Sequence, residues 1–360
     1  MSERIGIVTG GGDCPGLNAV IRAVVKAAAK RGWESYGFLG GYEGMLDPAR
    51  YRDLTHEDLS YLLTRGGTIL GTANRGKFSA KVGHGQSQHL PQELIDGVRD
   101  AMIKMKLRGL VSIGGDGSLT IAQQLYEGGV AVVGVPKTID NDLEGTIFTF
   151  GFDSAVTCAT DALDRLHTTA ESHNRVMVLE VMGRYAGWIA LYAGVAGGAD
   201  VILLPEIPFT YDSLCAKIQE RESRGKLYSL VVAAEGAREK DGGFVTAGER
   251  GGRGEARLGG IGAVVAAEIE KRTGKETRVC VLGHLQRGGS PTNFDRALCT
   301  VFGAEAVELI AAGKFGQMVA FLGSHIGAIP LTQAIGRLKT VPLEGGFVRT
   351  ARALGICLGD

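Results

Sequence analysis

The sequence predicts an α/β protein of two doubly wound, mostly parallel-sheet domains with the active site in the cleft between them. Three observations carry this expectation. Short apolar runs of strand length alternate with helical patterns along the chain, the order that builds parallel sheets. The runs end repeatedly in glycine-rich or acidic turns, as expected where ligands meet the carboxyl ends of strands. Such turns recur in both halves of the 360 residues, a length that suits one large or two medium domains.

The clearest stretch runs from Ile113 to Asp142. The apolar run Leu110–Ile113 ends in Gly114-Gly115-Asp116-Gly117-Ser118, a helical pattern follows to about Tyr126, and Val130–Val135 ends in Pro136-Lys137-Thr138-Ile139-Asp140-Asn141-Asp142. Parallel strands joined by one helix deliver both turns to the same sheet edge. Glycines let a backbone approach a phosphate, and a helix N-terminus supplies N–H donors. Carboxylates beside such a cradle repel a phosphate unless one holds a cation. Asp116, Asp140 and Asp142 therefore point to magnesium and phosphoryl transfer.

The remaining elements follow in order. Ile5–Val8 is a buried strand signal ending in Thr9-Gly10-Gly11-Gly12-Asp13, and Asn18–Lys30 is an amphipathic helix. That glycine turn fits neither the dinucleotide GxGxxG pattern nor the P-loop, and reads equally as a phosphate site or a tight turn. Ser35–Phe38 is a second strand. It leads to Gly40-Gly41-Tyr42-Glu43-Gly44, a turn able to bring an aromatic ring to a base. Leu54–Leu63 reads as a short helix, and Arg65–Lys77 as a basic glycine-rich loop, either an anion site or a solvated turn. Phe78–Leu90 is polar and insertion-like, and Pro91–Lys106 is helical.

In the second half, a helix runs from Ser154 to about Ser172. Val176–Val181 is a strand ending in Met182-Gly183-Arg184-Tyr185-Ala186-Gly187, followed by helix Trp188–Ala196. Val201–Leu204, Leu227–Ala234 and Thr277–Leu282 are strands ending at Pro205-Glu206, Glu235-Gly236 and Gly283-His284-Leu285-Gln286-Arg287. Tyr211–Ser223, Ile261–Lys271 and Asp295–Ala312 are helices. Arg238–Gly260 is expected to be a mobile loop, and Phe315–Leu322 is strand-like.

Composition narrows the function classes. Apolar residues make up 44% and charged residues 22%, an ordinary globular balance, while the 56 glycines have no collagen period and belong in turns and ligand loops. Equal numbers of acidic and basic residues give no support for nucleic acid or membrane partners. The six cysteines form no CxxC pair and are expected to be reduced and mostly buried. The N-terminus enters a strand at once, with no signal peptide or membrane-length apolar run, so a cytoplasmic protein is expected.

GGDGS at 114–118, TIDND at 138–142, MGRYAGW at 182–188, Glu235-Gly236 after a strand and GHLQRGGSP at 283–291, in this order, resemble the 6-phosphofructokinases. The resemblance covers Ile5 to about Ile310. It implies phosphoryl transfer to the 1-hydroxyl of fructose 6-phosphate in glycolysis. Gly11, Gly115, Asp116, Gly117 and Ser118 would hold the donor, with Asp116 binding Mg2+. Asp140 would be the general base, with Thr138 and Asp142 beside it, and Arg184 would stabilise the transferring group. Met182, Gly183, Glu235, His284 and Arg287 would hold the sugar phosphate. Arg175 and Arg278 resemble arginines reaching in from a neighbouring subunit of a homo-oligomer, expected to be a tetramer.

On local grounds alone some of these residues have plainer readings. Arg175 and Arg278 read as surface ion-pair partners, His284 as a core imidazole, Glu235 as a turn cap, and Asp142 equally as an Asx-turn residue. Two departures concern the donor. The arginine that ATP-using bacterial enzymes carry after the Gly71 turn would fall at Asn74, whereas this chain has Arg75. Gly117 goes with ATP in the resemblance, whereas Lys137 is typical of pyrophosphate users. A side chain at 117 would crowd the nucleotide's inner phosphate, so ATP is the expected donor and pyrophosphate the alternative. The expected division is 1–150 plus about 286–335 for the donor domain and 151–285 plus about 336–360 for the fructose 6-phosphate domain.

Overall fold

A computed structural model describes residues 2–46, 48–57, 59–73, 76–78, 81–82, 86–87, 89–249 and 256–360. In chain order the elements are β1 (Arg4–Thr9), α1 (Leu17–Lys30), β2 (Glu34–Phe38), β3 (Tyr51–Asp53), β4 (Lys81–Val82), β5 (Gln86–Ser87), α2 (Gln92–Lys104), β6 (Leu107–Gly114), α3 (Asp116–Glu127), β7 (Val132–Pro136) and α4 (Phe152–His173). They continue with β8 (Val176–Val181), α5 (Trp188–Ala196), β9 (Val201–Leu203), α6 (Tyr211–Ser223), β10 (Ser229–Ala234), β11 (Thr246–Glu249), β12 (Ala256–Leu258), α7 (Ile261–Thr273) and β13 (Thr277–Val281). The last are α8 (Asn293–Ala311), β14 (Gln317–Phe321), β15 (Ile326–Pro330), α9 (Leu331–Ala334) and α10 (Gly346–Ala353).

The chain divides into two units. The first comprises Met1–Thr138, Leu143–Ser154 and Arg287–Leu338, and the second Ile139–Asp142, Ala155–Gln286 and Lys339–Asp360.

The first unit holds a seven-stranded sheet in the order β15-β14-β7-β6-β1-β2-β3. From β14 to β2 neighbouring strands are parallel; β3 and β15 cap the two edges in antiparallel fashion. β7 and all but one residue of β6 are buried, as both faces of a parallel sheet require. The chain leaves β1 toward β2 on one side and β6 toward β7 on the other. The β1/β6 junction is therefore a topological switch point, where the ends of open α/β sheets take ligands. α8 is capped by Thr292, whose hydroxyl accepts from Asp295 N at 3.3 Å. Asp295, fully buried, accepts at its carboxylate from Gly151 N at 3.0 Å and from Ser154 N and Oγ at 2.9 and 2.6 Å.

The second unit holds an all-parallel sheet ordered β13-β8-β10-β9. Val176, Val178, Val231 and Ala233 pack with Leu214 and Ile218 of α6 and Val265 and Ile269 of α7. α6 starts where Thr210 Oγ1 accepts from Ser213 N at 3.3 Å.

Three local expectations change. Among the described residues of Leu54–Leu63 the structure has a 3₁₀ turn at Ser60–Leu63 rather than an α-helix. The segment expected to be a loop at 238–260 carries the antiparallel pair β11 and β12, with Thr246 opposite Leu258. Tyr42 is core: it is 4% exposed, its hydroxyl donates to Ser118 O at 3.2 Å and pairs with Ser112 Oγ at 2.5 Å, and its ring packs on Phe78. All six cysteines are free thiols. Among the described residues no helix is long and apolar enough to cross a membrane.

Candidate active site

In the first unit, two glycine turns leave neighbouring strands at the switch point. Thr9 of β1 pairs with Ile113 of β6, and Gly10 N donates to Ile113 O at 2.9 Å. Gly10-Gly11-Gly12-Asp13 and Gly114-Gly115-Asp116-Gly117-Ser118 are thus held side by side. The packing explains their composition. A Cβ at Gly114 would stand 2.2 Å from Ser118 Cβ, and one at Gly10 2.5 Å from Ser118 Oγ. Gly11 takes φ +78°, which side-chain-bearing residues rarely adopt.

Cations face this turn. A Cβ added at Gly11 would lie 3.2 Å from Lys137 Nζ, and one at Gly12 2.7 Å from Arg287 Nη1. Lys137 is 3% exposed, with its N–H donating to Gly114 O at 2.9 Å. Arg287 Nη1 donates to Asp13 O at 3.1 Å. Thr72 Oγ1 donates to Gly11 O at 2.6 Å, so the 71–73 stretch lies on the turn. Arg75, two residues beyond, is outside the described residues.

Asp116 is the first residue of α3, and its Oδ1 accepts from Gly336 N at 3.2 Å. Its N-cap residue is Gly115, which has no side chain to cap the first turn, where Gly117 and Ser118 follow. Thr138 is buried, with its carbonyl accepting from Thr149 Oγ1 at 2.7 Å.

In the second unit, three neighbouring parallel strands deliver their carboxyl ends together. β8 leads to Met182, Gly183 and Arg184, β10 to Glu235, and β13 to His284. Arg184 N donates to Glu235 Oε1 at 3.1 Å, and Met182 N donates to Gln286 Oε1 at 2.8 Å. Gly183 has φ +140°, and a Cβ there would meet Ala186 O at 2.6 Å, so the turn demands glycine. Glu235 lies mostly buried near the Asp140 charge; burial first, then Asp140, push its carboxyl up to about 7, while the Arg184 N–H and guanidinium pull it down. Asp140 is 4% exposed and Asn141 is 1% exposed. Asp142 is half-buried, and its carbonyl accepts from Lys339 N at 3.0 Å. His284 is exposed, which removes its reading as a core imidazole.

Arg175 and Arg278 do not join this set. Arg175 precedes β8, so six residues of strand, about 20 Å, separate it from Met182. It pairs with Glu276 at 2.7 Å, and Arg278 binds the same carboxylate.

Sequence reasoning passed over Gln286, Trp188, Lys339, Glu206 and Asp295. Gln286 and Trp188 lie inside recognised motifs; the others become visible only through contacts distant in sequence. Glu206, for example, accepts from Gly187 N at 3.0 Å and Val341 N at 2.8 Å.

Among the described residues no group of three or more His, Cys, Asp or Glu side chains could cage a metal. Mg2+ carried by a polyphosphate keeps waters and binds through one or two carboxylates plus substrate oxygens. The Asp116 carboxylate at the start of α3 is of the type such a cation takes.

Residues 4–310 match the family model described as phosphofructokinase. The chain is 53% identical over 358 residues to the ATP-dependent 6-phosphofructokinase of Chloroflexus aggregans, covering 99% of this chain and 98% of that one. It is 49% identical to the pyrophosphate–fructose 6-phosphate 1-phosphotransferase of Amycolatopsis methanolica, covering 95% of this chain and 97% of that one. The crystal structure of Pichia pastoris phosphofructokinase in the T-state superposes with a TM-score of 0.80 at 32% identity, covering 93% of this chain and 35% of that longer one. With its strand-end glycine turns, its Arg184–Glu235 link and a family match along most of its length, this chain belongs to the phosphofructokinase family.

Proposed function

We propose that the chain is an ATP-dependent 6-phosphofructokinase, a phosphotransferase that converts fructose 6-phosphate to fructose 1,6-bisphosphate. The observation that carries the reading is the pair of adjacent glycine turns with the buried Lys137 ammonium over Gly11, an arrangement with the charge of a phosphate site. Most residues assigned to the donor lie in the first unit and most assigned to the sugar phosphate in the second.

Phosphofructokinases generally need magnesium, which when bound neutralises and orients the donor phosphates. Asp116 would hold it. Gly11, Gly115, Gly117, Ser118, Lys137 and Arg75 are assigned to the donor. Gly117 leaves room for the nucleotide's inner phosphate. In the reaction the sugar O1–phosphorus bond forms, the bond from the terminal phosphorus to its bridging oxygen breaks, and ADP leaves. Asp140 accepts the hydroxyl proton late, when the oxygen has become acidic. Arg184 meets the charge of the transferring group. Thr138, Asp142, Met182, Gly183, Glu235, His284 and Arg287 are assigned to the sugar phosphate. Arg175 and Arg278, remote from that set within one chain, are assigned to a neighbouring subunit's sugar phosphate in a homotetramer. A cytoplasmic location accords with this activity.

A second reading takes pyrophosphate as donor. It rests on Lys137, which can neutralise an inorganic phosphate at Gly11 as well as a nucleotide's.

Asp140→Asn tests the chemistry. The expected result is a kcat lower by about three orders of magnitude with the Kd for fructose 6-phosphate changed less than about threefold. A rate near that of the parent would show that Asp140 is not the base.

A further inference from the structure

Lys339 starts the C-terminal segment of the second unit and touches the acidic turn and the first residue of α5. Its N–H donates to Asp142 O at 3.0 Å, and its Nζ donates to Asn141 Oδ1 at 3.0 Å. Its carbonyl accepts from Trp188 Nε1 at 2.9 Å, and its ammonium stands 5.4 Å from the centroid of the Trp188 ring. Two residues on, Val341 N donates to Glu206, whose carboxylate also accepts from Gly187 N at the start of α5. One short segment therefore grips the acidic turn carrying Asp140 and, through Trp188 and Glu206, the helix that follows the Arg184 turn.

Asn141 shows why the grip matters. It sits at φ +51°, a left-handed conformation sparsely used outside glycine, and it is 1% exposed. Such a conformation persists where the surroundings over-determine it. The charge-assisted bond from Lys339 Nζ to Asn141 and the backbone bond from Lys339 N to Asp142 hold that residue and the one after it. Asp140 precedes it directly, so a change in the backbone at Asn141 would be passed to Asp140.

We propose that Lys339 is a positioning residue for phosphoryl transfer. It acts through Asn141 to hold Asp140, and through Trp188 to keep the acidic turn in register with the start of α5. The inference rests on the assignment of Asp140 as the base.

The test compares Lys339→Met, which keeps an apolar stem on Trp188 but removes the charge and the donor, with Lys339→Arg, which restores both. Each is assayed with ATP, Mg2+ and fructose 6-phosphate beside the parent. The expected result for K339M is a kcat lower by about 10- to 100-fold, with KM for fructose 6-phosphate within about twofold and an unchanged melting temperature. K339R should recover most of the rate. Asn141→Ala should lose a similar factor, and K339M added to it should lose little more, because both remove one link.

The proposal is overturned if K339M keeps a kcat within twofold of the parent. It is also overturned if K339M is insoluble or melts markedly lower while N141A remains fully active, which would mark the lysine as structural. Absence of activity in the parent would overturn the kinase reading instead, so the two failures are distinguishable.

Discussion

Arg184 donates its backbone N–H to Glu235 Oε1 at 3.1 Å, tying the turn after one strand to the residue that ends its neighbour. Arg184 occupies φ +51°, and its carbonyl lies so near Gly236 that a Cβ there would stand 1.8 Å from it. The turn is thus fixed by a carboxylate on one side and by missing side-chain volume on the other.

Gly236→Ala should break this arrangement without unfolding the unit. The added methyl has no space, so the Arg184 peptide must move. The expected result is a kcat lower by about 100-fold with an unchanged circular dichroism spectrum. Near-normal kcat would show that the turn tolerates displacement.

Glu235 also carries a pH signature. Its carboxyl is raised in the folded state from 4.5 to about 7, chiefly by burial and then by the Asp140 charge. Between those values the native state binds more protons than the unfolded chain. The stabilising contribution is present below about 4.5 and is lost as the pH rises through about 7. The loss has an upper bound of about 3 kcal/mol. Glu235→Gln should flatten that part of the stability curve, so its melting temperature relative to the parent should rise between pH 5 and pH 8. Parallel curves would contradict the assignment.

Cys14 sits beside the first glycine turn yet should be chemically silent. Burial dominates and pushes its thiol up to about 12, outweighing the favourable charges of Lys137 and Arg287. Iodoacetamide applied to the native protein at pH 8, followed by peptide mass mapping, should leave Cys14 unmodified. Alkylation at the rate of a free thiol would show that the turn opens.

How far the sequence carried this account depends on the range of the contacts involved. The alternation of apolar runs and helical patterns exposed the strand-end turns because those signals are local; Gly114–Ser118 and Met182–Gly187 fall where strands must end. Sequence does not separate the two settings of Tyr42, because an aromatic residue in a glycine turn looks the same whether it faces a ligand or Ser112. The β11–β12 pair was missed because its charged, glycine-rich sequence lacks the alternation of a half-buried strand. Asp295 and Lys339 were invisible for a different reason. Their partners Gly151 and Asn141 lie 144 and 198 positions away, and only the folded chain brings them together.

The most direct test of the central claim is turnover of the purified chain with Mg2+ and fructose 6-phosphate, given either ATP or pyrophosphate, with fructose 1,6-bisphosphate formation followed through a coupled assay. The account predicts turnover with ATP and little or none with pyrophosphate. Turnover with pyrophosphate and none with ATP would contradict it.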